Sequence, residues 1–384
     1  MPSAFILSAA RTPIGKFLGS FADLPAAELG AAAARAALDR SGVPRSGLDE
    51  VIFGCARQAG NGPNVARQVA IRAGVPDPVP AFTVNKACAS SLKALALGAQ
   101  AIGAGEAGLV LAGGVEVMSR VPFLLDRARS GYRLGTTEAV DAMYRDGFLC
   151  PLSGDLMGET AERLAERYSI SRGEQDAYAA ESQERCQSAV RAGRFGDEIV
   201  PVKSVARDEA PRAGVTAASL STLPPVFKPG GTVHAGNSSG ITDGAAALVL
   251  ASQECVRAGG LEPMARVAGW VSVGLDPAEM GLGPVPALRA LERKTGWPTR
   301  DYDLIELNEA FAAQVLACDR ELGLDRARLN VNGGAIALGH PVGATGARMV
   351  TTLLYEMRRR KASRGVATLC VSGGLGMAVA FEKC

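Results

Sequence analysis

Short β-rich runs alternate with alanine-rich helical runs along this chain, and the alternation occurs twice. In the first third, a strand-like run at Ala4–Leu7 precedes a helix over Ala26–Arg40 that Ser41-Gly42 closes. Strands follow at Val51–Gly54 and Phe82–Val84, the second running into a helix from about Ala87 to Ile102. Leu109–Ala112 then reads as a buried strand ending in Gly113-Gly114. The last third repeats this with a strand at Leu304–Leu307, a helical NEAFAAQVLACDRELG stretch and a strand at Leu329–Asn332. A glycine-rich stretch, a helix near Ala347–Arg359 and a strand at Val366–Ser372 ending in Gly373-Gly374 complete it. Strands separated by helices join in parallel and need both faces covered, so the expectation is an α/β chain built from two similar halves.

Between the halves, about Ser119–Ile241 is richer in charge and turns. Ser171-Arg-Gly-Glu174 forms a capping box, opening a helix that runs to about Ala192 and stops at Gly193. The segment reads as a large insertion over the sheet core, of the kind that forms binding walls at strand ends.

Composition narrows the function. The 384 residues are 47% hydrophobic and only 5% aromatic, which suits close-packed α/β layers. A net charge of +2 favours neither a nucleic-acid partner nor a membrane surface. No apolar run reaches the roughly 18 residues of a membrane span, and no signal peptide is evident at the start. The eight cysteines include no C-x-x-C pair, and there are two histidines. A metal site is therefore not expected, and a cytoplasmic protein with reduced thiols is.

Four residues invite chemistry. Cys88, in TVNKACASSLKALALG, sits where a strand turns into a helix. The helix N-terminus favours thiolate, so its pKa is expected below the free value of about 8.5; the alternative is a small buried hydrophobe. His340, in GHPVG, is a base for such a nucleophile or a histidine bonded to a turn. Cys370, in TLCVSGGLGMAVAF, is packing or a second thiol that shuttles a proton. Asn308, in ELNEAFA, is an oxyanion donor or a helix N-cap. His234, in TVHAGNSSGITDG, reads as structural.

NKACASSLKA, the NEAFAA stretch, GGAIALGHPVGATGAR and CVSGGLGMA resemble the four signature blocks of the thiolases. SAARTPIGKF, AGGVEVMS, MGETAE and AGNSSGITDGAAA fit as well, in the same order and over nearly the whole chain. The resemblance implies a thiolase-like fold: two α/β halves in a five-layered αβαβα arrangement with an inserted loop domain that binds coenzyme A. The corresponding division is 1–118 with 242–263, an insert at 119–241, and 264–384. It implies an acetyl-CoA C-acyltransferase or C-acetyltransferase, cleaving 3-ketoacyl-CoA or condensing acetyl-CoA by ping-pong chemistry. By the same resemblance Cys88 carries the acyl group, His340 activates it, and Cys370 is the acid/base at carbon. Asn308, through a water, and His340 form one oxyanion site; the backbone N–H groups of Cys88 and Ser372 form the other. Met157, Ser239, Met280, Ala310 and Phe311 match positions lining the coenzyme A and acyl pocket, and Arg212 a position near the nucleotide. CoA thioesters are the partners, with no further cofactor, no nucleic acid and no membrane, in a homodimer or homotetramer.

Three departures from the family pattern matter. Ser372 stands where the last block usually has glycine, which bears on the oxyanion geometry if positive φ is needed there. The nucleophile block reads Cys88-Ala89-Ser90-Ser91 rather than ending in glycine. Leu156 replaces a histidine common before this methionine, which points to chains longer than acetoacetyl. Two rivals remain: a ketosynthase-like condensing enzyme, against which Cys370 and the GHP histidine speak, and a silent CoA-binding subunit of the same fold.

Overall fold

The structure, a computed structural model, describes residues 3–384. The first half comprises β1 (Ala4–Arg11), α1 (Ala26–Ser41), β2 (Glu50–Gly54), α2 (Val65–Arg72), β3 (Ala81–Val84), α3 (Ser90–Ala104) and β4 (Leu109–Val117). A long excursion then carries α4 (Met157–Arg167) and α5 (Arg172–Arg191) before β5 (Thr242–Ser252) returns to the sheet. The second half follows with β6 (Ala265–Gly274), α6 (Pro284–Thr295), β7 (Leu304–Leu307), α7 (Ala312–Leu322), α8 (Ala335–Leu338), α9 (Thr345–Arg360), β8 (Arg364–Val371) and β9 (Leu375–Glu382).

The duplication is visible in the topology. The first sheet runs β3-β2-β4-β5-β1, with β5 antiparallel to both neighbours and the other pairs parallel. The second runs β7-β8-β9-β6, with β9 antiparallel to both neighbours and Leu329 bridging in parallel to Ile305 outside β7. Each half thus orders its strands third-second-fourth-fifth-first. The sheets meet where β1 pairs with β6.

Alternate residues of these strands face different layers. On β5, Leu248 and Leu250 pack inward with Leu95 of α3 and Met349 and Leu353 of α9, while Val249 and Ala251 pack outward with Leu29 and Ala33 of α1. On β9, Met377 and Val379 face the same inner layer, while Ala378 and Ala380 meet Leu288 and Leu291 of α6. Strands buried on both faces read as continuous apolar runs. The layers are therefore helix, sheet, the α3/α9 pair, sheet, helix. A helix at the centre must be buried all round, and α9 is buried from Thr345 to Met357. Its charged groups have partners there: Arg348 lies 3.5 Å from Glu306, although its Nε is unbonded, and Glu356 accepts from Asn332 at 3.0 Å.

Boundaries mostly fall where expected. Gly42 caps α1 at φ 73°, and Ser171 with Glu174 forms the predicted box: Ser171 Oγ accepts from the Glu174 N–H at 3.2 Å, and the Glu174 carboxylate accepts from the Ser171 N–H at 2.7 Å. Three expectations need correction. β4 runs on through Gly113-Gly114 to Val117, because these glycines admit a neighbouring backbone rather than a turn: a Cβ at Gly114 would lie 2.2 Å from the Gly343 carbonyl. The strand expected at 329–332 reduces to the bridge at Leu329, since Asn330 turns to φ 45° and its side chain bonds the Leu307 N–H and C=O at 2.9 and 2.8 Å. The helix expected from Asn308 starts only at Ala312.

Candidate active site

Cys88 occupies the turn between β3 and α3. Asn85 Oδ1 accepts from the Ala87 N–H at 3.0 Å, and Ser90 Oγ accepts from the Lys86 N–H at 2.9 Å. Ala87 is held at φ 43°, a strained conformation for a residue with a Cβ. α3 begins two residues beyond Cys88, so the thiol lies just outside the first turn. Burial pushes that thiol up, with the positive charge of Arg57 and the backbone N–H of Ser372 pulling the other way. This corrects the lowered pKa expected from the helix terminus: desolvation outweighs the dipole, and a base is needed to form the thiolate.

That base is within the same wall. α8 and α9 flank the His340 loop, and the His340 N–H donates to the Gly240 carbonyl at 3.1 Å. Thr345 Oγ1 gives its single proton to the Pro341 carbonyl at 2.9 Å, so the 2.6 Å contact with His340 Nδ1 requires the hydrogen on Nδ1. Nε2 is then bare, and Asn308 Nδ2 faces it at 3.5 Å. Burial pushes His340 down to about 3, with Arg348 and Arg57 adding to the effect. The imidazole is accordingly a neutral acceptor at neutral pH. Asn308 is not an N-cap: Phe311 precedes α7, and the buried Asn308 Oδ1 has no partner.

Cys370 lies near the end of β8, opposite Gly376. Burial, and then the neighbouring Cys88, push its thiol well up, so it rests protonated. The turn beyond it takes positive φ at Gly373 (85°) and Gly374 (77°), whereas Ser372 does not. The serine therefore occupies a position with no need of glycine, and its backbone N–H still favours the Cys88 thiolate.

Cys88, His340, Cys370 and Ser372 line one cavity of about 330 Å³. Met157, Ser239, Met280, Ala310 and Phe311 line it too, as does Leu156. Arg212 does not: it borders an adjoining cavity of about 250 Å³ that shares Ser238 and Gly240 with the first. Buried His234 is structural here: Nδ1 accepts from the Gly236 N–H at 3.0 Å, and Nε2 bonds Asp176 at 2.7 Å. It thereby holds the turn that carries Ser238 and Ser239. Among the described residues no group of three or more acidic, cysteine or histidine side chains is arranged to hold a metal ion.

Sequence reasoning missed Thr345, Glu116 and Arg57. Thr345 fixes the imidazole tautomer. Glu116 accepts from the Ala56 and Arg57 N–H groups at 3.0 Å each and from the Gly343 N–H at 2.8 Å, tying the His340 loop to the first half. Arg57 lines the cavity itself. Its position three residues beyond the end of β2, in GCARQ, carried a signal: residues just past the C-terminal ends of parallel strands gather around ligands.

Residues 4–254 match the family described as thiolase, N-terminal domain, and residues 261–383 match thiolase, C-terminal domain. The chain is 51% identical to an acetyl-CoA acetyltransferase of Pseudomonas aeruginosa over the full length of both, and 49% identical to one of Escherichia coli, again over both full lengths. Among solved structures it superposes on the acetyl-CoA acetyltransferase of Bacillus anthracis with a TM-score of 0.98 at 43% identity, covering 100% of this chain and 99% of that one. It also superposes on human mitochondrial 3-ketoacyl-CoA thiolase in complex with CoA, with a TM-score of 0.97 at 40% identity, covering 100% and 98%.

Proposed function

The chain belongs to the thiolase family and is a thiolase of the acetyl-CoA acetyltransferase kind, and we propose that it works through an acyl-thioester on Cys88. In the cleavage direction His340 Nε2 takes the Cys88 proton, and the sulfur attacks the 3-keto carbon. The bond between carbons 2 and 3 breaks, and Cys370 gives its proton to carbon 2 of the departing acetyl-CoA. The thiol of a second CoA then takes the acyl group from Cys88, its proton returning to the Cys370 thiolate, while the departing Cys88 sulfur regains its proton from His340 Nε2. Condensation is the reverse. The second thiol suits a carbon acid better than a carboxylic acid would, its reference pKa being closer.

The observation that carries this reading is the convergence of two thiols and a bare imidazole nitrogen on one cavity. The backbone N–H groups of Cys88 and Ser372, both of which favour the Cys88 thiolate, are the donors for the acyl-thioester carbonyl. Asn308 Nδ2, beside His340 Nε2, serves the enolate oxygen. Met157, Ser239, Met280, Ala310 and Phe311 take the pantetheine arm and acyl chain, and Arg212 in the adjoining cavity the nucleotide end. Met157, Ser239 and Arg212 belong to the insert 119–241, while Met280, Ala310 and Phe311 come from the half 264–384, across from the half 1–118 with 242–263. Leu156 leaves an apolar wall for chains beyond acetoacetyl. Eight unpaired cysteines support a reducing, cytoplasmic setting, and the family supports a homodimer or homotetramer. No helix of the described residues is long and apolar enough to cross a membrane.

The test is cleavage of acetoacetyl-CoA and 3-ketooctanoyl-CoA, with CoA added, by the wild type and Cys88→Ser. Cleavage by the wild type, abolished in the variant, is expected. Cleavage of neither substrate would overturn the reading in favour of a silent CoA-binding subunit.

A further inference from the structure

We propose that Arg57 binds a carboxylate at the far end of the acyl chain, so that the substrates include 3-ketoacyl-CoA thioesters that end in an acid. The proposal rests on the thiolase reading above. Arg57 is the one charged side chain among the residues lining the catalytic cavity, the His340 imidazole being neutral, and it is only 8% exposed. Its Nε is sealed from solvent with no hydrogen-bond partner. Arg11, fully buried, instead pairs with Glu198 and Asp208, and Arg348 keeps Glu306 at 3.5 Å although its Nε is unbonded too. Arg57 is in none of the ion pairs among the described residues.

A buried guanidinium whose N–H groups make no hydrogen bond is costly, and a ligand that supplies acceptors there removes that cost. The carboxylate facing it, Glu116, offsets its charge without a hydrogen bond to it: the Glu116 oxygens accept from three backbone N–H groups, two on Oε2 and one on Oε1, with the Cys55 thiol also on Oε1. The remaining neighbours are apolar or small. Ala56, Met118, Met143 and Val342 pack together beside it, with Phe148 and Cys88 against them. Gly147 meets the guanidinium face directly, since a Cβ there would lie 2.5 Å from Nη2. The guanidinium is thus clamped in place beneath the Tyr144–Phe148 segment, in the wall it shares with Leu156 and Val342. A fixed, planar fork with free N–H groups matches a carboxylate in two-point contact. A carboxylate on a short spacer beyond the 3-keto carbon fits this position, whereas a simple alkyl end leaves those N–H groups unbonded.

The experiment compares kcat/KM for cleavage of 3-oxohexanedioyl-CoA with that for 3-oxohexanoyl-CoA, the same chain ending in methyl. Wild type, Arg57→Leu and Arg57→Lys are used, with acetoacetyl-CoA as a third substrate. The wild type is expected to favour the acid-ended chain by about tenfold or more, as a charge-assisted pair allows. Arg57→Leu is expected to bring that ratio to one or below, and Arg57→Lys to restore part of it. Cleavage of acetoacetyl-CoA with no wild-type preference for the acid would overturn the proposal and leave the thiolase reading standing. An equal loss on both six-carbon substrates in Arg57→Leu would also overturn it, making Arg57 a group that acts on the Cys88 sulfur. If Arg57→Leu does not fold, the wild-type ratio and the lysine variant decide. Failure on all three substrates would instead sink the thiolase reading on which the proposal stands.

Discussion

The two thiols differ in what they do, and single substitutions separate them. Cys370→Ala leaves Cys88, His340 and the Ser372 N–H in place, and CoA can depart as a thiolate without the Cys370 proton, so acetyl transfer from acetyl-CoA to Cys88 is expected to persist, though more slowly. Carbon–carbon cleavage should fall by roughly 10³-fold or more, because the enolate then has no proton donor. Rapid mixing of the variant with acetyl-CoA, then with substrate, reads both halves; loss of the first half-reaction would contradict the division of labour. Asn308→Ala is expected to cost about 10²–10³ in kcat, the usual cost of one oxyanion donor. A change confined to KM would show that Asn308 only shapes the pocket. Residue identity was largely legible: Cys88, His340 and Cys370 stood out by position, and the structure places them on one cavity. The direction of the Cys88 shift was not legible, because the helix terminus is local in sequence whereas the burial that overrides it comes from distant segments.

At the scale of elements, the glycines around His340 are contact points between halves. A Cβ at Gly346 would lie 2.6 Å from the backbone N of Leu92, and the Ala347 N–H donates to Ser91 Oγ at 2.9 Å, so α3 and α9 touch through their backbones. The serine at position 91 is therefore useful where the family pattern has glycine. Gly346→Ala is expected to lower stability by about 1–3 kcal/mol, the usual cost of overpacking. Urea denaturation would measure it; an unchanged midpoint would mean the helices move apart freely. Periodicity located the strands and helices well because most strands are buried on both faces and most helices are amphipathic. It failed at 329–332 and at 308–311, where side-chain amides and the cavity wall hold backbone that propensity alone would have continued.

For the whole molecule, the two halves share one strand order, and the site lies where their loops meet. Repetition was readable in the sequence; the identity of the contacts across it was not, and Arg57 and Glu116 were missed for that reason. His340 also links the site to overall stability. Its folded pKa is pushed down to about 3 from an ordinary value near 6.5. The unfolded chain takes up a proton there first, so this contribution is intact above pH 6.5 and is lost as pH falls toward 3. Acid unfolding of His340→Gln is expected to show a shallower dependence on pH in that window than the wild type. An identical slope would mean that the imidazole is protonated in the folded protein.

The account turns on a covalent acyl group on Cys88. Brief incubation of the wild type with acetyl-CoA, followed by acid quench, digestion and mass spectrometry, tests it directly. One acetyl group on the peptide that contains Cys88, removed by adding free CoA before the quench, is the predicted result. An acetyl group on another cysteine, or none on a protein that still cleaves acetoacetyl-CoA, would contradict it.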